Sequence, residues 1–230
     1  MTTARNVSPE SRVAIVTGGS RGVGRATIRR LAARGYAIVV NYLHDQRAAE
    51  STVEAILAGN GNAMAVRADV ADDLDVQRLF AETITAFGGV DIVVHTAGSR
   101  IIGSSVTEAG LDEFDAPVRS DKQATFIVNR EAARHLRNGG AIVNLSSPLE
   151  DSSLRTHGLY AATKAATNEL TRALALELRG RDISVNAVSL EVRGPCVPDR
   201  VAEVIAYLLS DHGHHLTGQV FRVDDVELRP

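Results

Sequence analysis

VAIVTGGSRGVG, Val13 to Gly24, decides the architecture. Its first five residues are apolar or β-branched without a break, the pattern of a strand buried on both faces of a parallel sheet. The run stops at Gly18 and Gly19. From Val23 to Arg34 the sequence VGRATIRRLAAR then sets Val23, Ile28 and Leu31 on one helical face and arginines on the other, and Gly35 stands where such a helix stops. The join between strand and helix carries Gly18, Gly22 and Gly24 in the spacing GxxxGxG. Glycines there let the backbone turn tightly and approach a pyrophosphate, whose charge is received by the free N–H groups at the helix N-terminus.

Working outward, the same alternation repeats. Strands are expected at Ala37 to Val40, Ala63 to Ala68, Val90 to His95, Ala141 to Leu145, Ser184 to Val188 and Gln219 to Val223. Helices are expected at Arg47 to Ala58, Leu74 to Phe87, Leu111 to Arg137 (with Pro117 near its first turns), Leu159 to Leu178 and Asp199 to Leu209. Strands taking turns with helices specify an α/β fold: one doubly wound Rossmann-type domain, residues 1–230, with a seven-stranded parallel sheet and helices on both faces. Residues 1–11 read as a flexible N-terminal extension. In such sheets ligands sit beyond the carboxyl ends of the strands, where strand order reverses.

Composition narrows the function classes. Of the 230 residues, 44% are hydrophobic and 23% charged, the proportions of an ordinary globular domain. A formal net charge of -3 supplies no broad basic field, so neither nucleic acid nor a membrane surface is expected as a partner. The lone Cys196 cannot close an intrachain disulfide, and the polar MTTARNVSPES opening has no apolar signal core; both point to a cytoplasmic location.

An acidic residue at the end of the second strand normally accepts from the ribose 2′-OH of NAD. Asn41 occupies that place, and Arg21 in the glycine loop can instead meet a 2′-phosphate bidentately. NADP(H) is therefore the expected cofactor, with NAD(H) disfavoured. Tyr160 and Lys164 are four residues apart in a helical pattern and share a face. An ammonium beside a phenol favours the phenolate and makes tyrosine a usable acid/base. Ser147 closes the fifth strand at the same sheet edge, where its hydroxyl can reach a substrate oxygen.

Taken together, TGGSRGVG, Asp69-Val70, HTAG at His95 to Gly98, Ser147, YAATK at Tyr160 to Lys164, NAVS at Asn186 to Ser189 and TGQVFRVD at Thr217 to Asp224 resemble the short-chain dehydrogenase/reductase family, its 3-oxoacyl reductase-like branch included. The resemblance spans Arg12 to Val223. It implies hydride transfer between nicotinamide C4 and a carbonyl or carbinol carbon, without metal. It implies that Tyr160 exchanges a proton with the substrate oxygen and that Lys164 also holds the nicotinamide ribose. Cofactor contacts are implied at Gly18, Ser20, Arg21, Gly22, Val23, Gly24, Asn41, Asp69, Val70, Thr96, Ala97 and Gly98, with the Asp69 carboxylate on adenine. A homotetramer or homodimer is implied, paired through the helices at Leu111 to Arg137 and Leu159 to Leu178.

Four departures from the family pattern stand out. His95-Thr96 replaces a pair of asparagines, leaving a hydroxyl where an amide usually braces the sheet. Asp121 falls where an asparagine normally serves a proton relay to the lysine. Leu190-Glu191 replaces Pro-Gly, and the substrate-covering segment shrinks to Glu191 to Pro198, which implies an open cleft. Asp121 either lies ionised beside Lys164, offsetting its field at Tyr160 and shifting the optimum for alcohol oxidation to alkaline pH, or faces solvent. Pocket residues are sought in Arg100 to Ser104, Pro148 to His157 (Arg155 and His157 included) and Leu190 to Pro195. The run Asp211-His212-Gly213-His214-His215 reads as a polar turn rather than a metal site. The main reading is an NADP(H)-dependent oxidoreductase acting on a small carbonyl or alcohol; the alternative is an NADP(H)-binding regulatory or accessory protein with little turnover.

Overall fold

The computed structural model describes residues 11–98, 107, 110, 112, 115, 118–146, 158–190 and 198–223. Seven strands form one sheet: β1 (Val13–Thr17), β2 (Ala37–Tyr42), β3 (Ala63–Arg67), β4 (Val90–His95), β5 (Leu136–Ser146), β6 (Ser184–Leu190) and β7 (Val220–Val223). Their order is β3-β2-β1-β4-β5-β6-β7, and every neighbouring pair is parallel. Strand order reverses between β1 and β4, so the crevice for a ligand opens at the carboxyl ends of these two strands.

Alternate residues of each strand feed two cores. On one face Ala14, Val16, Ile38, Val40, Ile92 and Val94 meet α1 (Gly22–Ala32), α2 (Gln46–Ala58) and α6 (Pro198–Leu208). On the other, Val13, Ile15, Val39, Val93, Ile142 and Val185 meet α3 (Asp73–Phe87), α4 (Ala124–His135) and α5 (Gly158–Glu177). All of these strand side chains are fully buried, which explains the unbroken apolar runs; each valine or isoleucine contributes about 1.5–3 kcal/mol of hydrophobic stabilisation. Helix ends follow local chemistry. Asp45 and Asp72 accept from Ala48 N and Asp75 N at 3.0 Å, capping α2 and α3, and Gly88 ends α3 in the left-handed region at φ +79°.

Most elements fall within two residues of expectation, and two places differ more. The helix expected over Leu111 to Arg137 is not uniform in its described part: Val118–Gln123 winds as a π-helix before α4 takes over. β5 begins at Leu136 rather than Ala141, because Leu136 pairs with Val90 and the register shifts between Val90 and Ile92. The turn-like RNGG at 137–140 is absorbed into that irregular strand start. No helix among the described residues is long and apolar enough to cross a membrane.

Candidate active site

The glycine loop is shaped by close backbone approach. A Cβ on Gly18, which sits at φ +63°, would stand 3.0 Å from Ala97 N, so the chain leaving β1 passes directly against the chain leaving β4. A Cβ on Gly24 would lie 2.4 Å from Gly18 O and 2.7 Å from Thr96 Oγ1. Gly22, at φ +55°, has none of the described residues within 4 Å of where its Cβ would be. That clear space adjoins the first turn of α1, whose unsatisfied N–H groups suit a phosphate. Ser20 and Val23 are buried beneath the loop, and Arg21 is exposed at the N-cap of α1.

Thr17, at the end of β1, organises the exit of β4. Its Oγ1 accepts from Thr96 N at 3.2 Å and Ala97 N at 3.3 Å, and lies 2.9 Å from His95 Nδ1. With both lone pairs engaged, the hydroxyl proton goes to Nδ1, and His95 carries its own proton on Nε2. Burial above all, helped by the Lys164 charge, lowers the His95 pKa to about 3, so the ring is neutral. Among the described residues, Nε2 is buried without a hydrogen-bond partner. Thr96 Oγ1 donates to Thr17 O at 2.6 Å, so the hydroxyl that replaces the family's amide still ties β4 to β1.

Beyond β4, three groups converge. Lys164 Nζ lies 3.3 Å from Asp121 Oδ2, with both residues buried. A Cβ on Gly98 would be 3.0 Å from Asp121 Oδ1 and 3.5 Å from Lys164 Nζ, so the chain leaving β4 passes close against the pair and a side chain there would push on the Asp121 carboxylate. Of the two placements open for Asp121, the inward one is found. The π-turn positions it: Thr125 Oγ1 donates to Asp121 O at 2.5 Å, while Thr163 Oγ1 reaches Oδ2 at 3.5 Å. Removing either partner of such a buried pair leaves an uncompensated charge, typically costing about 3–5 kcal/mol. α5 is held in register by Ser146 Oγ donating to Lys164 O at 3.4 Å. A buried amide ladder adds to this: Asn144 Nδ2 donates to Thr171 Oγ1 and Asn129 Oδ1, both at 3.1 Å, and Asn129 Nδ2 returns to Asn144 Oδ1 at 2.9 Å.

Tyr160 lies in the first turn of α5, one turn before Lys164. Its side chain lies outside the described residues, as do Ser147, the pocket segments at 100–104, 148–157 and 191–195, Cys196 and nearly all of the N-terminal extension.

After β3, Asp69 forms a tight turn: its Oδ1 accepts from Ala71 N at 2.9 Å, and its own N–H donates to Asp75 Oδ2 at 2.8 Å. Hydrogen bonding and charge from Arg78 hold the Asp75 pKa below the usual carboxylate value. Val70 is half-buried within this turn. Asn41 is buried and donates its amide to Ala68 O at 3.0 Å and Val66 O at 3.4 Å, bracing β2 against the end of β3. Its backbone carbonyl accepts from Gly19 N at 3.0 Å, which draws the glycine loop over β2. Two contributors were not legible in the sequence: Thr17, for which only a hydroxyl at a strand end gave a signal, and Gln123, whose Nε2 donates to Ala71 O at 2.8 Å. Among the described residues no group of three or more potential ligands converges as a metal site; His214 of the DHGHH run instead approaches Asp182 at 3.4 Å.

This arrangement, a glycine loop at the switch point and a buried lysine at the same edge, is that of a nicotinamide-dependent oxidoreductase fold. The family model for short chain dehydrogenases matches residues 12–193. Versicolorin reductase 1 of Aspergillus parasiticus is 33% identical, covering 94% of this chain and 95% of that protein. An uncharacterized oxidoreductase of Methylorubrum extorquens is 32% identical over 92% of this chain and 95% of its own length. Among solved structures, a short chain dehydrogenase from Burkholderia cenocepacia in complex with NADP superposes with a TM-score of 0.84 at 33% identity, covering 95% of this chain and 98% of that one. A dehydrogenase/reductase from Sinorhizobium meliloti reaches 0.87 at 32% identity, covering 95% of each chain. The chain belongs to the short-chain dehydrogenase/reductase family and is an oxidoreductase.

Proposed function

We propose that this chain is an NADP(H)-dependent oxidoreductase that interconverts a small carbonyl compound and its alcohol, with Tyr160 as acid/base. The observation that carries the reading is Lys164 Nζ beside Gly98 at the carboxyl edge of β4, one helical turn after Tyr160. The clear space over Gly22 fits a pyrophosphate, and Arg21 stands at the same helix end for a 2′-phosphate. Ser20, Val23, Gly24 and Gly18 complete that cradle; Thr96, Ala97 and Gly98 face the nicotinamide half; Asp69 and Val70 face adenine. When bound, the dinucleotide supplies the hydride that reaches the carbonyl carbon. Tyr160 gives its phenolic proton to the carbonyl oxygen, Ser147 hydrogen-bonds that oxygen, and Lys164 steadies the phenolate left behind. Asp121 offsets part of the lysine's field, so turnover in the alcohol-oxidising direction favours alkaline pH. The protein acts in the cytoplasm.

The test is NADPH oxidation against a panel of ketones and quinones. We expect turnover with NADPH at least tenfold better than with NADH, and a Tyr160→Phe variant slower by about 10²–10⁴-fold, the usual weight of a positioned acid. One observation favours a second reading, an NADP(H)-binding accessory protein: a carboxylate already engages the lysine. NADPH oxidation no faster than in Tyr160→Phe across the panel selects that alternative.

A further inference from the structure

We infer that Gln123 is a positioning residue that couples occupancy of the adenine turn to the placement of the Asp121–Lys164 pair. The inference rests on the cofactor reading above. Gln123 closes the π-helical segment Val118–Gln123, and Asp121 lies within the same segment. Its side chain leaves that segment and donates from Nε2 to Ala71 O at 2.8 Å, across 52 positions of sequence. Ala71 is the residue whose N–H is held by the Asp69 carboxylate, at 2.9 Å, so the acceptor belongs to the turn that faces adenine. A single side chain thus joins the adenylate end of the crevice to the backbone that aims Asp121 at Lys164 Nζ, 3.3 Å away.

The surrounding links make the junction the adjustable part. α4 is fixed to the start of α3 by the Arg130–Asp73 ion pair, which is independent of the π-turn. The far side of the adenine turn is anchored by Asp75, which accepts from Asp69 N and is held in turn by Arg78 at 2.8 Å. Between these two anchored bodies the π-turn is held at Asp121 by Thr125, Thr163 and Lys164, contacts that do not reach the adenine turn. Gln123 adds the tie from this segment to Ala71 O. With adenine seated and the turn rigid, the tie holds the π-turn; with the turn loose, the Asp121 carboxylate is freer to shift against the lysine.

Hydrogen–deuterium exchange tests this without requiring turnover, using adenosine 2′,5′-bisphosphate, which carries the adenine and 2′-phosphate but no nicotinamide. In the native chain this probe slows exchange both at residues 68–74 and at residues 118–124. In Gln123→Ala, and in the near-isosteric Gln123→Glu that cannot donate to Ala71 O, protection at 68–74 persists while protection at 118–124 falls about fivefold, the scale of one hydrogen bond. In kinetics the same variants lower kcat with NADPH about fivefold and leave kcat with reduced nicotinamide mononucleotide unchanged. Equal protection of residues 118–124 in native and variant chains overturns the coupling and leaves the cofactor reading standing. No protection at 68–74 in the native chain overturns both.

Discussion

His95 shows how one residue sets a condition on the whole. In the folded chain its neutral ring receives the Thr17 hydroxyl proton, and burial lowers its pKa from 6.5 to about 3. The unfolded chain binds a proton at His95 below the ordinary imidazole value near 6.5, whereas the folded chain does not until about pH 3. The stability contributed by the depressed value is therefore fully present above pH 6.5 and is lost as pH falls through the window down to about 3. The slope is about 1.4 kcal/mol per pH unit for one proton, amounting to something on the order of 5 kcal/mol at the acid end. Urea unfolding midpoints measured between pH 7 and pH 4.5 should fall more steeply in the native chain than in His95→Asn, by about that one-proton slope. Parallel curves would show that His95 titrates alike in both states. At this scale the sequence was informative about residue identities and silent about partners. Lys164 is singled out by its spacing from Tyr160, and Gly98 and Asp121 by the family resemblance, but whether Asp121 points in or out hangs on a π-turn that leaves no mark on apolar periodicity. Thr17 and Gln123 escaped notice because a hydroxyl or an amide declares its role only when its acceptor, 78 or 52 positions away, is known.

Among elements, the β1–α1 unit is the most tightly specified. Its strand is fully buried, and its helix begins where Gly24 allows the first turn to touch Gly18 O and Thr96 Oγ1. An alanine methyl at Gly24 would meet two atoms of fixed backbone and bracing side chain at 2.4 and 2.7 Å, so α1 must move away from the β4 exit. Overpacking of this kind costs about 1–3 kcal/mol. Because the same movement displaces the N–H groups proposed to receive the phosphates, Gly24→Ala should weaken NADPH binding at least tenfold by fluorescence titration while lowering the melting temperature by a few degrees. Unchanged affinity would mean that the loop does not hold the phosphates. Element types and order were readable because buried parallel strands and amphipathic helices have distinct periods. The start of β5 was not: Leu136 to Gly140 has the look of a turn, and only its pairing with Val90 across the sheet makes it strand. Local sequence carries no record of such a distant partner.

At the scale of the molecule, the helices that deliver Asp121 and Lys164 also present apolar side chains outward. Phe126 on α4 is 52% exposed and Leu176 on α5 is 67% exposed. Single exposed hydrophobic residues are common on monomers. Here, though, the two stand on neighbouring helices of one face, the pair through which self-association was expected from the family resemblance. Burying a side chain of this size against a second copy contributes about 1.5–3 kcal/mol, and a twofold interface counts each contact twice. On the same helix as Phe126 the buried Glu131 is held by Arg130 and Arg134 at 3.2 and 2.8 Å. Light scattering behind size exclusion should accordingly give a mass of two or four times the 24.5 kDa chain. Leu176→Arg, which would place a charge inside such an interface, should shift the mass toward the single chain while far-ultraviolet circular dichroism stays the same. A native chain that elutes at the mass of one copy across the micromolar range would refute the pairing, and the same mass for native and Leu176→Arg chains would move the interface to another face.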